Sequence, residues 1–264
     1  MSYRQGGNEL WTRDYDSFKF LEGNRSVGDY SDIADSIRDE GFVGSPIVVN
    51  EKMEIIDGQH RFLACKSIGA EFPFVVRPGT GIRECQILNE HGRNWTVKTY
   101  VESGVKLKDV NLERLNTLYE MYGKMYGKEV VTTVSKGCYT EQEYRKISSQ
   151  IKSGEFVLDE GEYMTAIDVF EEMKPLIEDV EALGTTERRR LWLPLFFCHS
   201  LPEVNFKQFV KKFKKHYGKY LKGINQRERI FDALTAIYRQ GKDTSEWIDF
   251  CAKSKEYKRK SAYA

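Results

Sequence analysis

Cysteine is scarce in this sequence, and the few cysteines are not arranged in pairs. There are five, widely spaced, and no Cys-x-x-Cys motif occurs. An odd, scattered set favours neither a disulfide framework nor a structural zinc site, and it is typical of a reducing compartment. The positions are Cys65, Cys85, Cys138, Cys198 and Cys251.

Long apolar runs and an excess of one charge are also missing. No run approaches the roughly 18–20 residues that span a bilayer, and the polar stretch 1–9 does not resemble a signal peptide. Lys plus Arg number 41 against 40 Asp plus Glu, so no overall basic field indicates a nucleic-acid partner. We therefore expect a folded, cytoplasmic protein with no membrane contact, whose 264 residues form one or two domains.

The most informative stretch that is present predicts a strand, a tight turn and a helix. The apolar run 53–56 has the length of a strand, and the apolar spacing over 62–68 predicts a helix that ends at Gly69. Between them lies Asp57-Gly58-Gln59-His60-Arg61. A glycine turn into a helix presents free backbone N–H groups and the positive end of the helix dipole to an anion.

The side chains of this turn suit phosphate and magnesium chemistry. Arg61, in the first helical turn, offers a fork of donors that matches phosphate oxygens. Asp57, at the end of the strand, can hold Mg²⁺ or accept a proton beside that phosphate. A plainer interpretation stays open, in which Asp57 only caps the helix and Arg61 only pairs with Asp57.

The rest of the first hundred residues predicts a small α/β unit that ends at about Gly104. Residues 1–16 are interpreted as a loose lead-in, and 85–88 are ambiguous between helix and strand. The predicted elements are a strand around Phe18 and Phe20 that ends at 22–25, a helix capped by Ser31 and stopped by Gly41, strands at 46–49 and 72–76, and a short helix from Thr96 through Val101.

Beyond Gly104 the pattern becomes helical. Apolar residues recur at helical spacing, as in Leu112, Leu115, Leu118, Tyr119 and Tyr122. The predicted fold class is therefore α+β, with a small α/β domain over 1–104 and a mostly α-helical domain over 105–264.

Charge is distributed very unevenly within the helical part. A helix capped by Asn205 carries seven lysines between 207 and 222 and no acid, whereas 155–187 hold eleven acids and one lysine. The lysines either contact DNA phosphates, form a solvated face, or pair with the acidic stretch within the chain or in a homodimer. The residues predicted to contact DNA are Lys211, Lys212, Lys214 and Lys215.

Several blocks of the first hundred residues resemble, in order, the N-terminal domain of the ParB/sulfiredoxin superfamily. They are Asn24-Arg25, the segment 33–41 followed by 45–49, and the segment 57–64; Asp57 to Arg61 also resemble the signature of DndB-type proteins. The resemblance implies a nucleotide-binding protein that takes ATP, ADP or CTP with Mg²⁺ and is coupled to DNA transactions of a phage or mobile element. It implies nucleotide contacts from Arg25, Gly58, Gln59, His60 and Arg61, and a metal ligand in Asp57.

Departures from the family pattern limit which members of the superfamily this chain resembles. Gln59 stands where sulfiredoxins carry their catalytic cysteine, and an amide cannot attack as a thiolate does. Asn89 and Arg93 are one residue further apart than the Asn-x-x-Arg element of ParB clamps. No helix-turn-helix of the ParB type is evident beyond Gly104.

Free-serine kinases of the same superfamily give a second, enzymatic hypothesis. Their turn resembles Asp57, Gly58, His60 and Arg61, and Glu22 lies where their catalytic glutamate is expected. That resemblance implies a kinase or nucleotide hydrolase in which Asp57 serves the phosphate and metal, while Glu22 deprotonates an incoming hydroxyl. A third hypothesis is a DNA-binding or interaction protein with a vestigial pocket.

Overall fold

The computed structural model describes residues 3–6, 9–88, 95–183, 185–224, 226–241 and 248–261. The chain is α+β, as predicted, and divides into two compact units, Met1–Asp109 and Val110–Ala264. The predicted boundary at Gly104 falls inside a helix that runs to Lys106. The division between the two units lies five residues further along, because Gly104 is a buried helical residue and not a stop.

The described part of the first unit contains a mixed sheet of six short strands. Their order across the sheet is β1-β2-β6-β4-β5-β3. The pairs β4–β6 and β3–β5 are parallel, and the other three are antiparallel. The strands are β1 (Arg4–Gly6), β2 (Glu9–Thr12), β3 (Lys19–Phe20), β4 (Ile47–Val49), β5 (Glu54–Asp57) and β6 (Phe72–Val76).

Two helices of the first unit pack on this sheet around an aromatic core. The helices of the unit are α1 (Ser31–Glu40), α2 (Gln59–Ile68), α3 (Ile82–Leu88) and α4 (Val97–Lys106). Phe62 of α2 packs edge-on against Phe72 of β6, with ring centroids 5.4 Å apart, and Ile37 of α1 joins the same cluster. Burial of each such side chain stabilises the fold by about 1.5–3 kcal/mol. This core holds the start of α2 against the end of β5.

The turn between β4 and β5 is fixed by a buried asparagine. The Oδ1 of Asn50 accepts hydrogen bonds from the backbone N–H groups of Lys52 and Glu54, and its Nδ2 donates to the Glu54 carboxylate. Past this turn, Ile55 pairs with Val49 and Asp57 with Val48, so the register shifts and one residue is unpaired. Such a bulge re-aims the end of its strand, and here that end is Asp57.

The described part of the second unit consists of helices. They are α5 (Val110–Tyr126), α6 (Lys128–Val134), α7 (Glu141–Ser153), α8 (Glu160–Met173), α9 (Ile177–Glu181), α10 (Thr185–Ser200), α11 (Phe206–Tyr220), α12 (Arg227–Arg239) and α13 (Phe250–Ser261). Aromatic rings fill its core, for example Tyr126 between Phe170 and Trp192, at 5.4 and 4.7 Å. Within the ranges that the structure describes, no helix combines the length and apolarity needed to cross a membrane.

Glu143 ties the start of α7 to α13. Its Oε2 accepts hydrogen bonds from the N–H groups of Tyr139 and Thr140 and from the Thr140 hydroxyl. Its Oε1 accepts from the hydroxyl of Tyr257 at 2.8 Å. Burial, this hydrogen bond and the negative charge of Glu143 raise the pKa of the Tyr257 hydroxyl, which therefore stays a donor at neutral pH. One carboxylate thus completes a capping box and docks the last helix.

Most predicted helix ends are confirmed, because their signals are local. Gly41 and Gly69 end α1 and α2, while Thr96 and Asn205 cap α4 and α11 through side-chain hydrogen bonds. Helix α4 runs past the predicted Val101. Ser31 is the first residue of α1 rather than its N-cap, and the ambiguous segment 85–88 lies in α3. The predictions for Asn89 and Arg93 lie outside the described residues.

The loose lead-in predicted for residues 1–16 was wrong. Strands β1 and β2 lie there, and Leu10 of β2 pairs with Phe74 of β6. Trp11 also packs edge-on against Phe42, with centroids 6.2 Å apart. The pairing joins segments more than sixty positions apart, so the short polar context of Leu10 and Trp11 gave no alternation to detect.

Replacing Glu143 by Ala should destabilise the second unit by about 2–3 kcal/mol, because it removes both the cap and the Tyr257 bond. Tyr257→Phe should cost about 1 kcal/mol, since it removes the latter bond alone. The control Gln142→Ala, at an exposed neighbouring site, should stay within about 0.5 kcal/mol of wild type. Urea titrations followed by circular dichroism measure all three, and equal midpoints for Glu143→Ala and Gln142→Ala would contradict this role.

Candidate functional site

The turn between β5 and α2 depends on a left-handed glycine. Gly58 has φ +94° and precedes the first residue of α2, and its carbonyl accepts the first helical hydrogen bond, from the N–H of Phe62. With no side chain at Gly58 to cap the helix, the first-turn N–H groups are directed out of the helix end. The anion-binding geometry predicted from the sequence is therefore present.

Arg61 lies folded over this turn. Its Nη2 donates to Oδ2 of Asp57 at 2.9 Å. A Cβ at Gly58 would meet that Nη2 at 3.0 Å and Cγ1 of Ile47 at 3.2 Å. In the plainer interpretation, Asp57 only caps the helix and Arg61 only pairs with Asp57. The Asp57–Arg61 pair is present, but Asp57 accepts no hydrogen bond from the α2 backbone among the described residues.

Arg61 keeps unused donors despite this ion pair. Its Nε is buried and makes no hydrogen bond to any described residue. An unpaired buried donor costs about 1–3 kcal/mol, a cost that an oxygen ligand at this turn would relieve.

Asp57, Gly58 and Arg61 line a cleft of about 500 Å³, which we call the main cleft. Such a volume lies within the range of small-molecule sites. Three segments contribute to it: the loop before α1, the turn from β5 to α2, and the end of α3. Its polar lining residues are Asn24, Arg25, Asp29, Asp57, Gln59, His60 and Arg61.

Asp29 is a second carboxylate of the main cleft that the sequence analysis missed. Its Oδ1 accepts hydrogen bonds from the backbone N–H and the hydroxyl of Ser31, at 2.9 and 2.8 Å. These bonds lower the pKa of the Asp29 carboxyl, so it is ionised at neutral pH. An Asp two residues before a Ser that begins a helix is a local signal for a turn closed by these side-chain hydrogen bonds. That signal does not show which cleft the carboxylate lines.

Glu22 does not lie in the main cleft. It is exposed and lines a neighbouring cleft of about 480 Å³, the second cleft, together with Phe20 and Lys106. Strand β3 ends at Phe20, two residues before Glu22, so the strand does not carry Glu22 to the phosphate turn as predicted. The carboxylate that accompanies Asp57 in the main cleft is Asp29.

Cys85 is a buried thiol that interacts with residues of the main cleft. Cys85 of α3 is fully buried and interacts electrostatically with Asp57 and Arg25. Burial, reinforced by the negative charge of Asp57 and opposed by Arg25 and a hydrogen bond with Asn24, raises the pKa of the Cys85 thiol to about 11. A neutral thiol is a poor nucleophile, so Cys85 does not replace the cysteine whose position Gln59 occupies.

Among the described lining residues of the main cleft, Arg25 and Arg61 carry positive charge and Asp29 and Asp57 carry negative charge. Two carboxylates beside a phosphate repel it unless a cation lies between them. Mg²⁺ commonly binds one or two carboxylates together with substrate phosphates. No cluster of three or more His, Cys, Asp or Glu side chains that could hold a metal alone occurs among the described residues. The two carboxylates Asp57 and Asp29 could therefore contribute to a magnesium site only together with further ligands, such as phosphate oxygens.

The four lysines predicted to contact DNA divide into two pairs on α11. Lys212 donates to the carbonyl of Tyr238 at 2.9 Å and lies over its ring. Lys214 lies 3.8 Å from the carboxylate of Asp179, in the acidic stretch. Lys211 and Lys215 are exposed and form no ion pair with any described residue. Half of the predicted set therefore has structural partners inside the second unit.

Comparison with known proteins adds no assignment. No family model matches the chain, and no curated protein is significantly similar to it in sequence. The function of the main cleft must therefore be argued from its motifs and geometry.

Gly58→Ala should destabilise the first unit more than Gly69→Ala, at the other end of the same helix. Both glycines have positive φ, which strains any other residue by about 1–2 kcal/mol. A Cβ at Gly69 meets no atom within 4 Å, whereas one at Gly58 crowds Arg61 and Ile47, which should add about 1 kcal/mol or more. Parallel urea titrations measure the difference, and equal losses would show that the close approach of Arg61 does not constrain the turn.

Proposed function

We propose that the first unit is a ParB/sulfiredoxin-like domain that binds a nucleoside triphosphate or diphosphate together with Mg²⁺ in the main cleft. The observation that carries this proposal is the left-handed Gly58, which brings the open start of α2 and the Arg61 guanidinium to one cleft with two carboxylates. The motif resemblance and the cleft geometry support the same ligand independently.

The phosphate groups of the proposed nucleotide would bind the positively charged groups of the main cleft. Backbone N–H groups at a helix start bind anions through hydrogen bonds and the helix dipole. Arg61 adds a planar fork beside them, and Arg25 lines the same cleft from the loop before α1. A phosphate chain, rather than a single small anion, has enough oxygens to engage groups from both segments.

The proposed magnesium ion would bind the negatively charged groups of the main cleft. Asp57 and Asp29 are hard oxygen ligands of the kind that Mg²⁺ prefers. Neither carboxylate can bind a bare phosphate directly, and both would repel it. Binding should therefore depend strongly on the divalent cation.

Arg61→Ala should weaken nucleotide binding strongly without unfolding the domain. Loss of a charge-assisted contact costs about 1.5–3 kcal/mol, or roughly a ten- to hundredfold loss of affinity. Calorimetric titrations with ATP, ADP and CTP, with and without Mg²⁺, measure the effect. Arg38→Ala is the matched control, because Arg38 is exposed on α1 and pairs only with Asp35 among the described residues.

Asp57→Asn, titrated in the same series, should reduce the dependence of affinity on Mg²⁺. Unchanged affinity in Arg61→Ala, with a normal melting profile, would contradict the proposal. So would wild-type binding that does not respond to Mg²⁺.

A second function, DNA binding through α11, is favoured by the spacing of its exposed lysines. Lys207, Lys211, Lys215 and Lys219 recur every four residues and are all exposed; we call this set the lysine stripe. Residues at i and i+4 lie on one face of a helix, about 6 Å apart along its axis. We propose that this stripe contacts backbone phosphates in DNA transactions of a phage or mobile element, which requires no base-specific contact.

Replacing the four residues of the lysine stripe by Gln should flatten the salt dependence of DNA binding. Each phosphate contact contributes about −0.9 to the slope of log affinity against log salt, so the slope should shrink by about 3–4. Gln preserves helix propensity, so α11 should still form. Fluorescence anisotropy with a duplex at two or more salt concentrations measures the slope.

The matched control is the double variant Lys212→Gln, Lys214→Gln, which removes the two charges that contact Tyr238 and Asp179 within the second unit. It should lower stability and leave the salt slope nearly unchanged. If both variants changed the slope equally, or if wild type showed no salt response, the DNA proposal would fail.

A further inference from the structure

Gln59 is a largely buried polar side chain that lines two clefts of the first unit. It is the first residue of α2, is 7% exposed, and makes no hydrogen bond with any residue that the structure describes. It lines both the main cleft and the second cleft. Because Gln59 lines both clefts, a ligand that extends from one cleft to the other can form hydrogen bonds with its amide.

The wall between the clefts is rigidly built. Gly23, with φ +82°, lies so close to α4 that a Cβ there would come within 2.9 Å of Leu107. Lys106 donates to the carbonyl of Asn24 at 2.8 Å, and the Asn24 side chain accepts from the N–H of Arg25 at 2.8 Å. Asn24, Arg25 and Gln59 line both clefts. A single extended ligand can therefore contact this shared wall from both sides.

The second cleft has the chemistry of a site for a heterocycle. Phe20 is 45% exposed and lines it, and an aromatic ring favours stacked or edge contacts with a planar group. The Gln59 amide offers one acceptor and two donors, which suit the edge of a base. A carboxylate is a hydrogen-bond acceptor, so Glu22 can accept a hydrogen bond from an amino group of the ligand.

We propose that the second cleft holds the base of the nucleotide whose phosphates lie on the turn at Gly58–Arg61. Gln59 hydrogen-bonds the base, and Glu22 selects bases that carry an exocyclic amino group, namely adenine, cytosine and guanine, over uracil. The inference rests on the proposed function and assigns Glu22 to nucleotide selection rather than to proton abstraction. A separate acceptor molecule in the second cleft is the competing occupant.

Calorimetry on the full chain with Mg²⁺ tests this inference, with ATP, CTP, GTP, UTP and inorganic tripolyphosphate as ligands. Gln59→Leu should weaken the amino-bearing nucleotides by about tenfold or more and leave tripolyphosphate unchanged, because the latter has no base. Glu22→Gln should narrow the preference of wild type for ATP, CTP and GTP over UTP. Glu40→Gln, exposed at the end of α1, is the matched control and should change nothing.

The outcomes separate the two proposals. If wild type binds tripolyphosphate and nucleotides alike, or if Gln59→Leu weakens both equally or neither, the base site is wrong and the phosphate site stands. If wild type binds none of these ligands, the proposed function itself fails, and the base site with it. Glu22 is exposed, so Glu22→Gln should fold normally and decides the question even if Gln59→Leu proves unstable.

Discussion

The close approach of Arg61 to Gly58 is the constraint on which the candidate site depends. A Cβ at position 58 would lie only 3.0 Å from Nη2 of the guanidinium, which donates a hydrogen bond to the Asp57 carboxylate. A left-handed glycine is needed both for the turn and for this approach. The same contact explains why a carboxylate, a guanidinium and an open helix end lie together at the mouth of one cleft.

This turn is positioned by the core beneath it. Phe62 anchors α2 to β6 and to the cluster that includes Ile37 of α1, while the shifted register of β4 and β5 sets the direction of Asp57. The loop before α1 then contributes Arg25 and Asp29 to the cleft. The site is therefore assembled from three segments whose relative positions a single hydrophobic core fixes.

Local signals in the sequence predicted the turn, the stop of α2 at Gly69 and the cap of α11 at Asn205, because each depends on residues within a few positions. The features that the sequence did not predict depend on packing between segments that are far apart in the chain. Asp29 joins the cleft only when α1 packs on α2, and β2 forms only by pairing with β6. The lysines of α11 were indistinguishable in sequence, and only the structure shows that Lys212 contacts Tyr238 and that Lys214 pairs with Asp179.

The central claim is that phosphate binds at the start of α2. It is tested most directly by following backbone amide resonances of the full chain while ATP and Mg²⁺ are added. The account predicts that the largest shifts occur at Gly58, Gln59, His60 and Arg61, and that they require the cation. Shifts concentrated elsewhere in the chain, with these four amides unmoved, would contradict it.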